Sequence, residues 1–149
     1  EISACLVGSE MCIRDRLWFD IDRDGDLDLA LTGAQPTGMH LVLRNDLEAA
    51  AAQRSLFVKV VDGQGRATRA GAEVRVYAAG TRTLLGSQLM DTGSGYNAQN
   101  DMPVHFGLPT LQPVDVEVIW PARGKRTVVR MRAVRPDRHR HAALVVRVR

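Results

Sequence analysis

Val114-Asp115-Val116-Glu117-Val118-Ile119-Trp120 reads as a β-strand with one apolar face. Val114, Val116, Val118 and Trp120 recur at every second position, with Asp115 and Glu117 between them. Successive side chains of a strand point to opposite faces, so the four apolar residues should be inward and buried and the two carboxylates outward. The same period recurs on either side of this stretch. Ala72, Val74, Val76 and Ala78 share one face, and Glu73, Arg75 and Tyr77 take the other. Residues 56–61, 84–90, 104–106, 127–131 and 143–148 read as further short strands, punctuated by Asp62-Gly63-Gln64-Gly65, by Gly80-Thr81 and by a turn over 121–124. Short strands at this spacing predict an all-β chain whose larger part is a β-sandwich-like domain.

Upstream the pattern changes. Leu17-Trp18-Phe19 leads into an acidic loop, Leu27-Asp28-Leu29-Ala30-Leu31 alternates again, residues 33–38 read as a turn, and His40-Leu41-Val42-Leu43 is another strand. The alanine-rich run 48–53 predicts one helical turn or a linker. This divides the chain into a first section, 17–54, and a sandwich section, 55–149, with its core in 55–131 and a basic C-terminal extension in 132–149. Residues 1–16, EISACLVGSEMCIRDR, carry neither a helical nor a strand period, and their CLVGSEMCIRDR resembles a translated sequencing adapter. They are expected to be an unstructured artefact, with the true chain cut just upstream of Leu17. The two cysteines, Cys5 and Cys12, both lie there, so the remainder offers no disulfide framework, thiolate zinc site or cysteine nucleophile.

The acidic loop is Asp20-Ile21-Asp22-Arg23-Asp24-Gly25-Asp26-Leu27-Asp28. Five carboxylates at alternate positions, with glycine at the sixth, suit a hard cation that takes six to eight oxygens. Calcium is the expected ion. Asp20, Asp22, Asp24 and Asp28 are expected to ligate through their side chains and Asp26 through its backbone carbonyl. Magnesium prefers fewer carboxylates and more water, and zinc prefers His or Cys. An EF-hand would need a bidentate Glu at the twelfth position, where this chain has Leu31 inside a strand-like run.

A hydrophobic strand, then D-I-D-R-D-G-D-L-D-L, a second strand and a closing Leu43-Arg44-Asn45 resembles an FG-GAP/VCBS repeat. That resemblance implies a fragment of a β-propeller blade with calcium between its first two strands. The second section resembles the ASPIC/UnbV domain of the cartilage acidic protein family and its bacterial relatives. The matching pieces are Gly71-Ala72-Glu73-Val74, Gly93-Ser94-Gly95-Tyr96 with Gln99, His105-Phe106-Gly107-Leu108, and Val118-Ile119-Trp120-Pro121 with Gly124. Pro109 and Asn97-Ala98 depart from that pattern. The resemblance brings no catalytic chemistry with it.

Other residues leave narrower openings. His105 with Asp91 or Asp101 and Ser94 is the nearest approach to a nucleophilic triad, but no G-x-S-x-G elbow accompanies it. His105 fits better as a backbone hydrogen-bonding residue beside a core Phe106. Tyr96, with Asn97, Gln99, Asn100 and Asp101, suits an exposed contact to a glycan. The net charge is +3 despite the acidic loop, and Arg130, Arg132, Arg135, Arg138, Arg140, Arg147 and Arg149 crowd the C-terminus. Nucleic acid is disfavoured there because no aromatics interleave with the arginines. No apolar run is long enough to span a membrane. The expected function is a calcium-stabilised, secreted or periplasmic binding or adhesion module without catalytic activity, its partner a protein or glycan. The alternatives are an accessory domain of an enzyme whose active site lies on other propeller blades, and a polyanion binder acting through the C-terminal arginines.

Overall fold

A computed structural model describes residues 13–33, 40–67, 69–91, 93, 103–122 and 124–148. Among the described residues the chain folds as ten strands: β1 Ile13–Phe19, β2 Asp28–Gly33, β3 Leu41–Leu43, β4 Ser55–Val61, β5 Glu73–Ala78, β6 Leu84–Leu89, β7 Val104–Gly107, β8 Val114–Ala122, β9 Lys125–Val134 and β10 Leu144–Arg147. One helical turn, α1 Ala49–Ala52, links β3 to β4, and a 3₁₀ turn, Pro136–His139, precedes β10. The fold is all-β. Among the described residues no helix is long and apolar enough to cross a membrane.

The strands form three sheets, ordered β1-β2-β3, β10-β4-β7 and β6-β5-β8-β9. The second and third sheets make the sandwich. Leu56, Val58 and Val60 of β4 meet Val74 and Val76 of β5 and Val114, Val116 and Val118 of β8 in one cluster closed by Phe106, Leu144 and Val146. Period-two patterning does this directly: β4, β5, β8 and β10 bury their alternate apolar residues, and Asp115 and Glu117 lie on the side of β8 away from the core. Trp120 was expected to be buried with the β8 valines. It is only half-buried at the rim of the core, opposite Thr127 toward the β8–β9 hairpin, and the Arg69 guanidinium lies 5.1 Å from its ring centroid.

Two boundaries differ from the sequence reading. β1 begins at Ile13, inside the segment expected to be unstructured through residue 16, because Ile13, Asp15 and Arg16 continue the antiparallel pairing against Gly33, Thr32 and Leu31. Main-chain pairing asks little of side-chain pattern, so the segment's lack of period did not reveal it. Residues 1–12, with both cysteines, lie outside the described residues, as do residues 34–38 of the predicted turn. The stretch 132–149 is also more than a basic extension. Val134, Leu144, Val146 and Val148 are buried in the core cluster, and β10 pairs in parallel with β4, Leu144 against Val58 through Arg147 against Val61.

The turn between β4 and β5 is organised by a buried carboxylate. Asp62, 2% exposed, accepts the backbone N–H groups of Gln64 and Arg66, each at 2.9 Å, and the Arg66 Nε–H at 2.8 Å. The Arg66 N–H leads these in holding the carboxyl down at about 2, against 3.8 in an unperturbed aspartate. The folded chain thus favours the carboxylate. Asp62 stabilises the fold fully above about pH 4, and the contribution is lost as pH falls through about 2. Urea midpoints should therefore separate the parent from Asp62→Asn at pH 7 and converge near pH 2. A gap that persists at pH 2 would show that the turn does not depend on the charge.

Candidate metal centre

The acidic loop joins two paired strands. Asp20 follows β1, Asp28 opens β2, and Phe19 stands opposite Asp28. Arg23 and Gly25 take positive φ, 63° and 106°, and between them fold the loop back on itself. Gly25 is also a point of close approach. A Cβ there would stand 2.6 Å from the Ala52 carbonyl oxygen and 2.9 Å from Ser55 Oγ, so only glycine lets the loop sit on the α1–β4 junction.

Asp20, Asp22 and Asp28 each offer an oxygen, and the three lie within 4.8 Å of one another. Two oxygens on opposite sides of a cation at about 2.4 Å are separated by that much, so the three suit one calcium-sized ion. Asp20 accepts the N–H groups of Asp24 at 3.1 Å and Gly25 at 3.2 Å. Asp28, 1% exposed, accepts those of Ile21 at 2.7 Å and Asn45 at 3.0 Å. Asp24 is turned differently, its Oδ1 accepting the Asp26 N–H at 2.9 Å. Asp26 is 3% exposed, with Oδ2 accepting the Leu47 N–H at 3.2 Å and Oδ1 buried without a hydrogen-bond partner.

The electrostatics are those of a crowded anionic nest. Burial raises the Asp20 carboxyl above its ordinary value against three backbone N–H groups, with the Asp24 charge adding to the rise. Burial also raises Asp26, helped by the charges of Asp24, Asp28 and Asp22. A cation offsets both effects, and an orphaned buried carboxylate oxygen beside three converging ones fits that donor chemistry. Calcium here would be held by Asp20, Asp22 and Asp28, with Asp24 and Asp26 adding charge next to them.

Four contacts of the loop are not legible in the spacing of its aspartates. Asn45 belongs to the Leu43-Arg44-Asn45 motif that closes the first section, and that motif was the available signal; its Nδ2 also donates to the Leu27 carbonyl at 3.4 Å. Leu47 contributes only a backbone N–H, and Ala52 only a carbonyl, so neither leaves a side-chain signature. His105, on β7, places Nε2 3.0 Å from the Gly25 carbonyl. A carbonyl only accepts, so Nε2 carries the proton. Burial lowers the His105 pKa despite the Gly25 carbonyl and the Asp20 and Asp26 charges, and its ring tilts against Phe57 at 4.8 Å between centroids. The expectation that His105 bonds to backbone while Phe106 enters the core describes what is seen. Ser94, Tyr96 and the polar residues 97–101 lie outside the described residues.

An all-β chain that carries an aspartate loop on a separate three-stranded sheet, bonded to a two-sheet sandwich, is the class these features define. Residues 63–140 match the family model for ASPIC and UnbV, and the chain belongs to that family. No curated protein and no solved structure matches it. The family segment covers β5 to the 3₁₀ turn, whereas β4 and β10, which complete the sandwich, lie on either side of it.

Proposed function

We propose that this chain is a calcium-stabilised binding module of a secreted or periplasmic protein, without catalytic activity of its own. The carrying observation is the convergence of Asp20, Asp22 and Asp28 within 4.8 Å, beside the unpartnered Oδ1 of Asp26. The first section is read as part of an FG-GAP/VCBS blade. Its sheet supports this by being apolar on both faces: Trp18 and Leu43 lie in one cross-strand row and Leu17 and Val42 in the next, all of them exposed. A blade that packs between two neighbours needs apolar faces on both sides, whereas a sheet with one wet face alternates.

The test is thermal. Sites of this kind in extracellular modules bind calcium at roughly 10⁻⁴–10⁻³ M. About 10 mM calcium is then as much as a hundredfold excess, worth about 2.7 kcal/mol. For a chain of this size that is a rise in Tm of about 5–10 °C over the same protein in chelator. Asp28→Asn should abolish the rise. Equal melting temperatures in calcium and chelator would overturn the reading.

A further inference from the structure

The outer face of the β6-β5-β8-β9 sheet carries a hollow of about 860 Å³, and five arginines line it: Arg75, Arg82, Arg126, Arg130 and Arg132. Two carboxylates, Asp115 and Glu117, also line it, so the lining is strongly cationic. The acidic groups are already engaged. Asp115 accepts the N–H groups of Gly80 at 3.0 Å and Ala133 at 2.8 Å, and Glu117 holds Arg130 Nε at 2.6 Å. Glu73, beside the hollow, grips Arg75 with both oxygens, at 2.6 and 2.9 Å. These pairs keep Arg75 and Arg130 in place on the sheet. Among the described residues, no side-chain hydrogen bond or ion pair holds the guanidinium of Arg82, Arg126 or Arg132, and all three residues are exposed.

We propose that this face binds a carboxylated polysaccharide, a chain of uronic acid units, with Arg82, Arg126 and Arg132 taking its carboxylates. The proposal deepens the binding-module reading and rests on it. Register supplies the row of charges. Arg75 lies across from Glu117 and Glu117 across from Arg130, while Arg126 and Arg130 stand on the same side of β9 two strand periods apart. Alternate residues of a strand recur about every 6–7 Å, so Arg126, Arg130 and Arg132 follow one line along β9, with Val128 filling the place between the first two, and a linear polyanion can track it. The forked Arg75–Glu73 pair shows the chemistry this face offers: guanidinium against carboxylate, two hydrogen bonds in one plane. Tyr77 supplies a ring and a hydroxyl in the same hollow.

Two other polyanions fit less well. Single-stranded nucleic acid needs a run of stacking rings, and among the described residues Tyr77 is the one aromatic in the lining. An acidic peptide binds an extended sheet chiefly through main-chain pairing, which would set it beside the edge strand β9, whereas the hollow lies over the face of the sheet.

The experiment is calorimetric titration of the protein with oligogalacturonate in chelator, which keeps calcium from cross-linking the sugar, with circular dichroism showing the protein folded. The expected result is saturable, salt-sensitive binding, with neutral oligosaccharide of the same length, polyglutamate and a single-stranded oligonucleotide binding at least tenfold more weakly. The triple variant Arg82→Ala/Arg126→Ala/Arg132→Ala should lose roughly tenfold in affinity, the sum of three exposed charge pairs. Arg138→Ala/Arg140→Ala, beyond the hollow, should not change it. Absence of oligogalacturonate binding, equal binding of polyglutamate or the oligonucleotide, or an unaffected triple variant would overturn the proposal. The calcium melt is read separately. Lost uronate binding with an intact calcium response rejects this site alone, and an absent calcium response with intact uronate binding rejects the metal reading alone.

Discussion

Val146→Asp should abolish the native fold, whereas Val145→Asp, one residue earlier on β10, should change stability by no more than about 1 kcal/mol. Val146 is 2% exposed and Val145 49%. The inward position would force a carboxylate into a cluster of valines and leucines with no partner, at a cost of several kcal/mol. A domain of this kind has about 5–15 kcal/mol in all, and the substitution also removes the apolar contact that seats β10 on the core. The outward position meets water. Circular dichroism and urea melts of the two variants give the comparison. A cooperative melt for Val146→Asp close to that of the parent would mean that β10 is not part of the core.

Phe106→Ala should cost about 3–5 kcal/mol. Phe106 is 4% exposed, and its ring lies so close to β6 that a Cβ on Gly86 would stand 3.0 Å from Cδ1. Gly86 thus makes room for the ring, as β5–β6 pairing brings that residue under β7. Gly86→Ala should overpack the same spot at about 1–3 kcal/mol. The double variant should cost less than the two singles added, because the missing ring leaves space for the new methyl. Urea midpoints of the four proteins close the cycle. Strict additivity would show that Phe106 and Gly86 do not share a contact.

The sandwich was largely legible because its strands differ in pattern and not just in composition. In β4 from Leu56 to Val60, in β5 from Val74 to Val76 and in β8 from Val114 to Val118 the alternation is clean and burial follows it; at the end of β8 it fails, with Ile119 buried and Trp120 half-buried. β9 is longer than the alternation over 127–131 indicates. Arginines at 126, 130 and 132 on its outer face mask a strand that runs from Lys125 to Val134. The same masking made 132–149 look like a basic tail, although every second residue of β10 is buried. Pairing partners were not legible at all. That β10 lies parallel to β4 depends on how two sheets close on one another, which no local window contains. In the acidic loop, the spacing picked out the cluster but not its division. Asn45 N–H on Asp28, Leu47 N–H on Asp26 and the seat that Ala52 and Ser55 form under Gly25 orient the carboxylates, and all are distant in sequence from the aspartates.

The parallel β10–β4 pair also sets the order in which this molecule can be assembled. Antiparallel neighbours such as β8 and β9 are joined by a hairpin and can zip from their turn, but β4, which meets β7 on one edge, finds its parallel partner β10 on the other only after all the intervening strands have been made. At about 5–20 residues per second, the nascent β4 waits on the order of 4–20 s before β10 leaves the ribosome. Throughout that interval the edge of β4 facing β10 is bare, its N–H and C=O groups open to any extended chain nearby. Production of the protein should therefore be limited by what meets that edge first. Slower synthesis lengthens the exposure, while a chaperone that shields Leu56, Val58 and Val60 protects it until the sheet closes.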